Sequence, residues 1–143
     1  MWEVPGESIA PERFDPFHPS KVLDHYDGPR IFTLTDRQNE FCLAFWCDGD
    51  DESDRYLVVP FSPSLRQELT EGRISVAQAL DQPRLWVVDI DKTGRPSRSW
   101  RSEFSRLPRE ILPEPGTMLW PSLEPLLSVR APDAQTGGGD YRR

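Results

Sequence analysis

Two stretches decide the fold: Glu40-Phe41-Cys42-Leu43-Ala44-Phe45-Trp46-Cys47 and Arg55-Tyr56-Leu57-Val58-Val59-Pro60-Phe61. Each is an apolar run of strand length, enriched in aromatic or β-branched residues. Pro60 lacks a ladder donor and belongs at its strand's end. Between the two runs, Asp48-Gly49-Asp50-Asp51-Glu52-Ser53-Asp54 reads as a loop joining adjacent antiparallel strands. Upstream, residues 30–35 alternate modestly and Asp36-Arg37-Gln38-Asn39 is a turn, so 30–35 and 40–47 make a hairpin.

Downstream, Ser62 can cap a helix with Pro63 at its first position, Leu65 and Leu69 facing inward, and Gly72 as its stop. Ser75-Val76-Ala77-Gln78 fits a capping box that opens a second short helix, which Pro83 must end. Neither helix reaches the ~12–15 residues that are marginal alone in water, so the pair must pack on the sheet. Arg84-Leu85-Trp86-Val87-Val88-Asp89-Ile90-Asp91 is apolar on both faces and reads as a central strand covered on both sides. Lys92-Thr93-Gly94-Arg95-Pro96 is a turn, and 99–104 adds a last strand with Trp100 and Phe104 on one face and Arg101 and Glu103 on the other. The expected fold class is α+β: an antiparallel β-meander with two short helices inserted before the fourth strand, packed on one face and carrying the chain across the sheet. Trp46, Leu57, Val59, Trp86, Val88, Leu65 and Leu69 are the expected core.

The 143 residues suit one domain. Four of the fifteen prolines fall in 1–19 and six in 107–143, which sets the boundaries of a core at 20–106. Residues 1–19 are expected to be an extended arm anchored by Phe14 and Phe17, 107–130 a Pro-rich extension packed on the core, and 131–143 a disordered tail. Residues 19–26 read as a short helix or an irregular lead-in, closed by the turn Asp27-Gly28-Pro29.

A formal charge of −7 disfavours nucleic acid and anionic membrane as partners. A basic partner suits better. No run of ~18 apolar residues is present and Met1-Trp2-Glu3-Val4-Pro5 has no leader-like pattern, so the expected location is the cytoplasm. Cys42 and Cys47 sit an odd number of residues apart on one strand, hence on opposite faces, and read as buried thiols.

Three groups carry the only candidate chemistry. Asp48, Asp50, Asp51, Glu52 and Asp54 form an oxygen-rich loop, but an EF-hand frame starting at Asp48 meets Ser53 and Val59 where glycine and glutamate are needed. The loop is therefore a solvated, aggregation-blocking turn, a contact surface for a basic partner, or a weak cation site. Asp89 and Asp91 lie two apart near a strand end, so both should face one side, as strand-terminating polar groups or as a metal or acid–base pair. Lys92, Arg95, Arg98, Arg101, Arg106 and Arg109 stand against Glu103 alone in 92–109. Those arginines either neutralise the acidic loop or Asp89 and Asp91 internally, or contact an anionic partner. The contact reading needs Arg95, Arg98 and Arg101 on one side, although strand alternation sets Arg101 opposite Trp100 and Arg98 beside it. His18 and His25 have no metal-ligand spacing, and no motif names a catalytic residue or a cofactor.

Tyr26-Asp27-Gly28-Pro29-Arg30-Ile31-Phe32, the run 55–61 ending in Pro60-Phe61, and Gly72-Arg73-Ile74-Ser75 within 69–80 together resemble small bacterial proteins catalogued as a domain of unknown function. The resemblance spans roughly 20–92 and implies a bacterial, intracellular source and the same small fold, with no catalytic residue to transfer. Charge and missing motifs point to a non-catalytic protein–protein interaction module, of accessory, antitoxin-like or immunity-like kind, that binds another protein through its acidic face. Homo-oligomerisation stays open. The alternative is a metal-dependent hydrolase or nuclease built on Asp89, Asp91 and part of the acidic loop.

Overall fold

The computed structural model describes residues 1–25 and 29–119. Seven strands form one antiparallel sheet: β1 (Glu7–Ile9), β2 (Lys21–His25), β3 (Pro29–Thr35), β4 (Phe41–Gly49), β5 (Ser53–Pro60), β6 (Leu85–Asp91) and β7 (Pro96–Ser102). Their order is β1-β7-β6-β5-β4-β3-β2, a meander from β2 to β7 with the first strand added beside the last. Helices α1 (Pro63–Thr70) and α2 (Val76–Leu80) lie between β5 and β6.

Ser62 Oγ accepts from Leu65 N, and Ser75 with Gln78 forms the reciprocal capping box. The helices follow the fifth strand, not the third, because Glu7–Ile9 and Lys21–His25 are strands as well. Nor does the helical excursion carry the chain across the sheet. β6 returns directly beside β5, with Leu57 opposite Val87 and Val58 opposite Trp86. Two short helices folded over one face bring the chain back to the edge it left.

Strand alternation divides the core into two layers. Leu43, Leu57, Val59, Leu85 and Val87 meet Leu69, Val76, Ala79 and Leu80 of the helices, together with Leu107 and Leu119 from beyond β7. Cys42, Ala44, Val58, Trp86 and Val88 point the other way, where Phe14 and, less deeply, Phe17 cover them. Cys42 and Cys47 are free, buried and on opposite faces. Desolvation pushes the Cys42 thiol up to about 12 and raises Cys47 as well. Two expected core residues are only half-buried: Leu65, on the outer turn of α1, and Trp46, whose indole donates to Asp54 and carries Arg30 at 3.9 Å.

The N-terminal segment is a strap around the β7 edge. Trp2 and Val4 pack on the helix face, β1 pairs with 99–101, and a 3-10 turn (Pro11–Phe14) then sets Phe14 and Phe17 on the opposite face. Gly6 makes the passage possible. Its φ is +133°, and a Cβ there would lie 2.1 Å from the Arg101 carbonyl oxygen. Gly6→Ala should therefore lift β1 from β7 and cost about 1–3 kcal/mol of strain. Faster proteolysis within 1–17 and a lower melting temperature would report it; an unchanged profile would mean that the strap is not seated through this contact.

At the other edge, Lys21–His25 is a strand although its sequence lacks alternation. Bulges at 22–24 and 24–25 bend it against β3, which is how an edge strand tolerates an irregular pattern. Phe104 lies just past the end of β7, in a 3-10 turn, yet shares the helix-face cluster with Trp100. Asp27 and Gly28 of the expected turn and the tail 131–143 lie outside the described residues.

Candidate functional site

Asp89 is fully buried, and a buried carboxylate needs a partner. Arg55, opposite it on β5, supplies two hydrogen bonds: Nε donates to Oδ1 at 2.6 Å and a terminal nitrogen to Oδ2 at 2.9 Å. A second terminal nitrogen of Arg55 donates to the Trp2 carbonyl, and Arg98 adds a bond to Asp89 Oδ2 at 2.8 Å. The Arg55 guanidinium lies over the rings of both Trp2 (4.7 Å) and Trp100 (5.1 Å). This is an internal assembly that ties the strap, β5, β6 and β7 together.

The expectation that Asp89 and Asp91 share a side is corrected by these contacts. Alternation sets Asp89 on the helix face with Arg55, and a register shift between Asp89 and Ile90 then interrupts it. Asp91 thus lines a groove with Tyr56 and Ile90, while its Oδ1 accepts from the Thr93 hydroxyl and from the backbone N–H groups of Thr93 and Arg95. Those bonds close the β6–β7 turn and hold the Asp91 carboxyl below its ordinary range. Among the described residues, no three His, Cys, Asp or Glu side chains stand where they could hold a metal ion.

The acidic stretch is also shorter as a loop than its sequence suggests. Asp48 lies in β4 opposite Arg55 and accepts from Gly49 N, the strand's last residue, while Asp51 and Glu52 stand exposed at the tip. Asp50 Oδ1 caps the turn by accepting from Glu52 N and Ser53 N at 2.9 Å each, which lowers its pKa. Asp54 Oδ1 accepts from Trp46 Nε1 at 3.0 Å. The arginines divide as strand alternation requires, and not on one side. Arg98 serves Asp89 and stacks on Trp100 on the helix face, Arg101 reaches toward the Pro83 carbonyl on the strap face, and Arg95 is exposed in the turn.

Register then brings two distant groups together. Ser53 pairs with Asp91 and Asp54 with Ile90, so the β4–β5 and β6–β7 turns lie side by side at one end of the sheet. Between them, on the strap face, is a groove of about 340 Å³ lined by Asp50, Asp54 and Asp91 and by Lys92. Its floor is aromatic. Phe17 and Tyr56 lie 4.9 Å apart by ring centroid, and Phe32 meets each edge-on at 5.5 Å. Burial, with the Asp54 charge adding to it, pushes the Tyr56 phenol up to about 12, so the hydroxyl is neutral at ordinary pH. Phe17, Tyr56 and Lys92 were not marked by sequence as parts of one site; the strand alternation that sets Tyr56 on the same side as Asp54 is the local signal, and the strap's position supplies the rest.

The opposite end of the same face is basic. Arg13, Arg37, Arg84 and Arg101 line a groove of about 510 Å³. Arg13 bonds Asp36 and Glu40, and Arg84 holds Glu40 through both oxygens, a contact that raises its own pKa. Both guanidinium groups lie over Trp86, at 4.5 and 5.1 Å.

A model of a protein family of unknown function matches residues 19–119, from just before β2 to the end of the described extension. The chain belongs to that family, DUF6575. The matched region contains all three carboxylates of the groove, Tyr56 and Phe32; Phe17 and the rest of the strap precede it. No curated protein and no solved structure matches the chain. No helix among the described residues is long and apolar enough to cross a membrane.

Proposed function

We propose that this protein is a non-catalytic interaction module that binds a basic protein partner through the acidic end of its strap face, in the manner of an accessory, antitoxin-like or immunity-like protein of the bacterial cytoplasm. The observation that carries the reading is the groove itself: three carboxylates from two different hairpins converge over an aromatic floor, against one lysine, Lys92, among the described residues that line it. Fixed negative charge steers a basic partner, and the apolar floor gives it surface to bury. Arg98, Arg13 and Arg84 are tied to carboxylates of the fold, which fits internal neutralisation better than a second, anionic contact.

The test is affinity capture from the source cells, followed by titration of the purified partner. Raising salt from about 50 to 500 mM should weaken the complex at least about tenfold, because exposed charges are screened over a Debye length. Asp50→Asn, Asp54→Asn and Asp91→Asn together should do the same without lowering the melting temperature much, since an asparagine amide oxygen can still accept the bonds now made at Oδ1. A chain that captures no partner and turns over a small substrate would overturn the reading.

A further inference from the structure

Four arginines of the fold share one arrangement. Arg55 and Arg98 each set the guanidinium over a tryptophan ring and donate to Asp89. Arg13 and Arg84 repeat the arrangement with Trp86 and Glu40. The groove between the two turns offers the same pair of features on an open surface: half-buried Phe17 and Tyr56 below, and Asp54 and Asp91 at the rim. Asp50, Asp54 and Asp91 each accept hydrogen bonds at Oδ1. Each carboxylate of the groove is thus held by one oxygen to its own turn or strand.

From this we infer that the groove takes an arginine side chain of the partner, its guanidinium over the Tyr56 ring with Phe17 beside it and its N–H edge on the Asp54 and Asp91 carboxylates. The inference rests on the interaction reading above and names the chemistry of that contact. Charge complementarity favours any cation, since three carboxylates face one ammonium. A ring face at the floor with carboxylates at the rim favours arginine over lysine, because only a guanidinium stacks and bonds in a fork at once. A lysine ammonium is a point charge that gains from the rim and much less from the floor.

The probes are the blocked peptides Gly-Arg-Gly-Arg-Gly, its lysine counterpart and its citrulline counterpart, titrated into the full chain and followed by nuclear magnetic resonance. The arginine peptide should give saturable shifts in the Tyr56 and Phe17 rings and in amides 53–56 and 91–94. The lysine peptide should bind at least about fivefold more weakly, and the uncharged citrulline peptide should give no saturable shift. Asp54→Asn with Asp91→Asn should weaken the arginine peptide at least about tenfold. Lys92→Ala, which removes the resident cation and touches no buried group, should tighten it about twofold and serves if the double variant fails to fold. Equal binding of the arginine and lysine peptides, absence of saturable shifts, or shifts that neither set of substitutions alters would overturn the arginine contact. If a captured partner remains bound while these peptides fail, the interaction reading stands and this inference falls; if no partner is captured, the failure lies in the reading beneath it.

Discussion

Asp89→Ala should lower the free energy of unfolding by about 3–5 kcal/mol, the usual cost of leaving a buried charge without its partner. Arg55 is 3% exposed and has Asp89 as its only carboxylate among the described residues. Alanine would strand that guanidinium between Trp2 and Trp100, release Arg98, and loosen the strap that Arg55 holds through the Trp2 carbonyl. Arg55→Met combined with Asp89→Leu should cost much less than Asp89→Ala alone, since replacing a buried pair by apolar groups is often near neutral. Urea unfolding at neutral pH measures both. A loss below about 1 kcal/mol for the single variant would mean that water reaches the pair and the assembly is not the internal tie described here.

Phe14→Ala should destabilise by about 3–5 kcal/mol, the range for deleting a buried aromatic side chain from a well-packed site. Phe14 is 1% exposed and meets Trp86 edge-on at 5.7 Å, on the face of the sheet opposite α1 and α2. Without the ring, Ala44, Val58 and Val88 lose part of their cover and the strap loses its deepest anchor. Helix-face substitutions of equal size offer a comparison. If Phe14→Ala costs no more than an exposed substitution, within about 0.5 kcal/mol of wild type, the strap would be an accessory to the fold and not one of its layers.

The parts of the fold that were legible in the sequence are those where local pattern and tertiary burial agree. The apolar runs at 41–47, 55–61 and 84–91 became β4, β5 and β6, and the side-chain caps at Ser62 and Ser75 began helices at Pro63 and Val76. Glu7–Ile9 is three residues long and is a strand only because β7 offers an edge and Gly6 lets the chain approach it. Lys21–His25 mixes apolar and charged residues without period, since an edge strand with two bulges does not need strict alternation. The placement of β6 beside β5 depended on how far two short helices travel, which no residue pattern states.

The site divides in the same way. That Asp48–Asp54 is acidic and that Arg98 faces Trp100's side are readable from composition and parity. That Asp54 and Asp91 line one groove depends on the register of β5 with β6, and that Phe17 underlies them depends on the path of the strap. Arg55 gave no sign of being Asp89's partner because the pair is 34 residues apart and is joined only across the ladder.

The central claim is that the partner occupies the acidic end of the strap face, over Tyr56 and between the two turns. Hydrogen exchange of the full chain, measured alone and with the captured partner, tests it most directly. The account predicts added protection concentrated in 50–56 and 90–95, with exchange in α1, α2 and 104–119 unchanged. Protection that falls instead on the helices or on the 104–119 segment, with both turns unaffected, would contradict it.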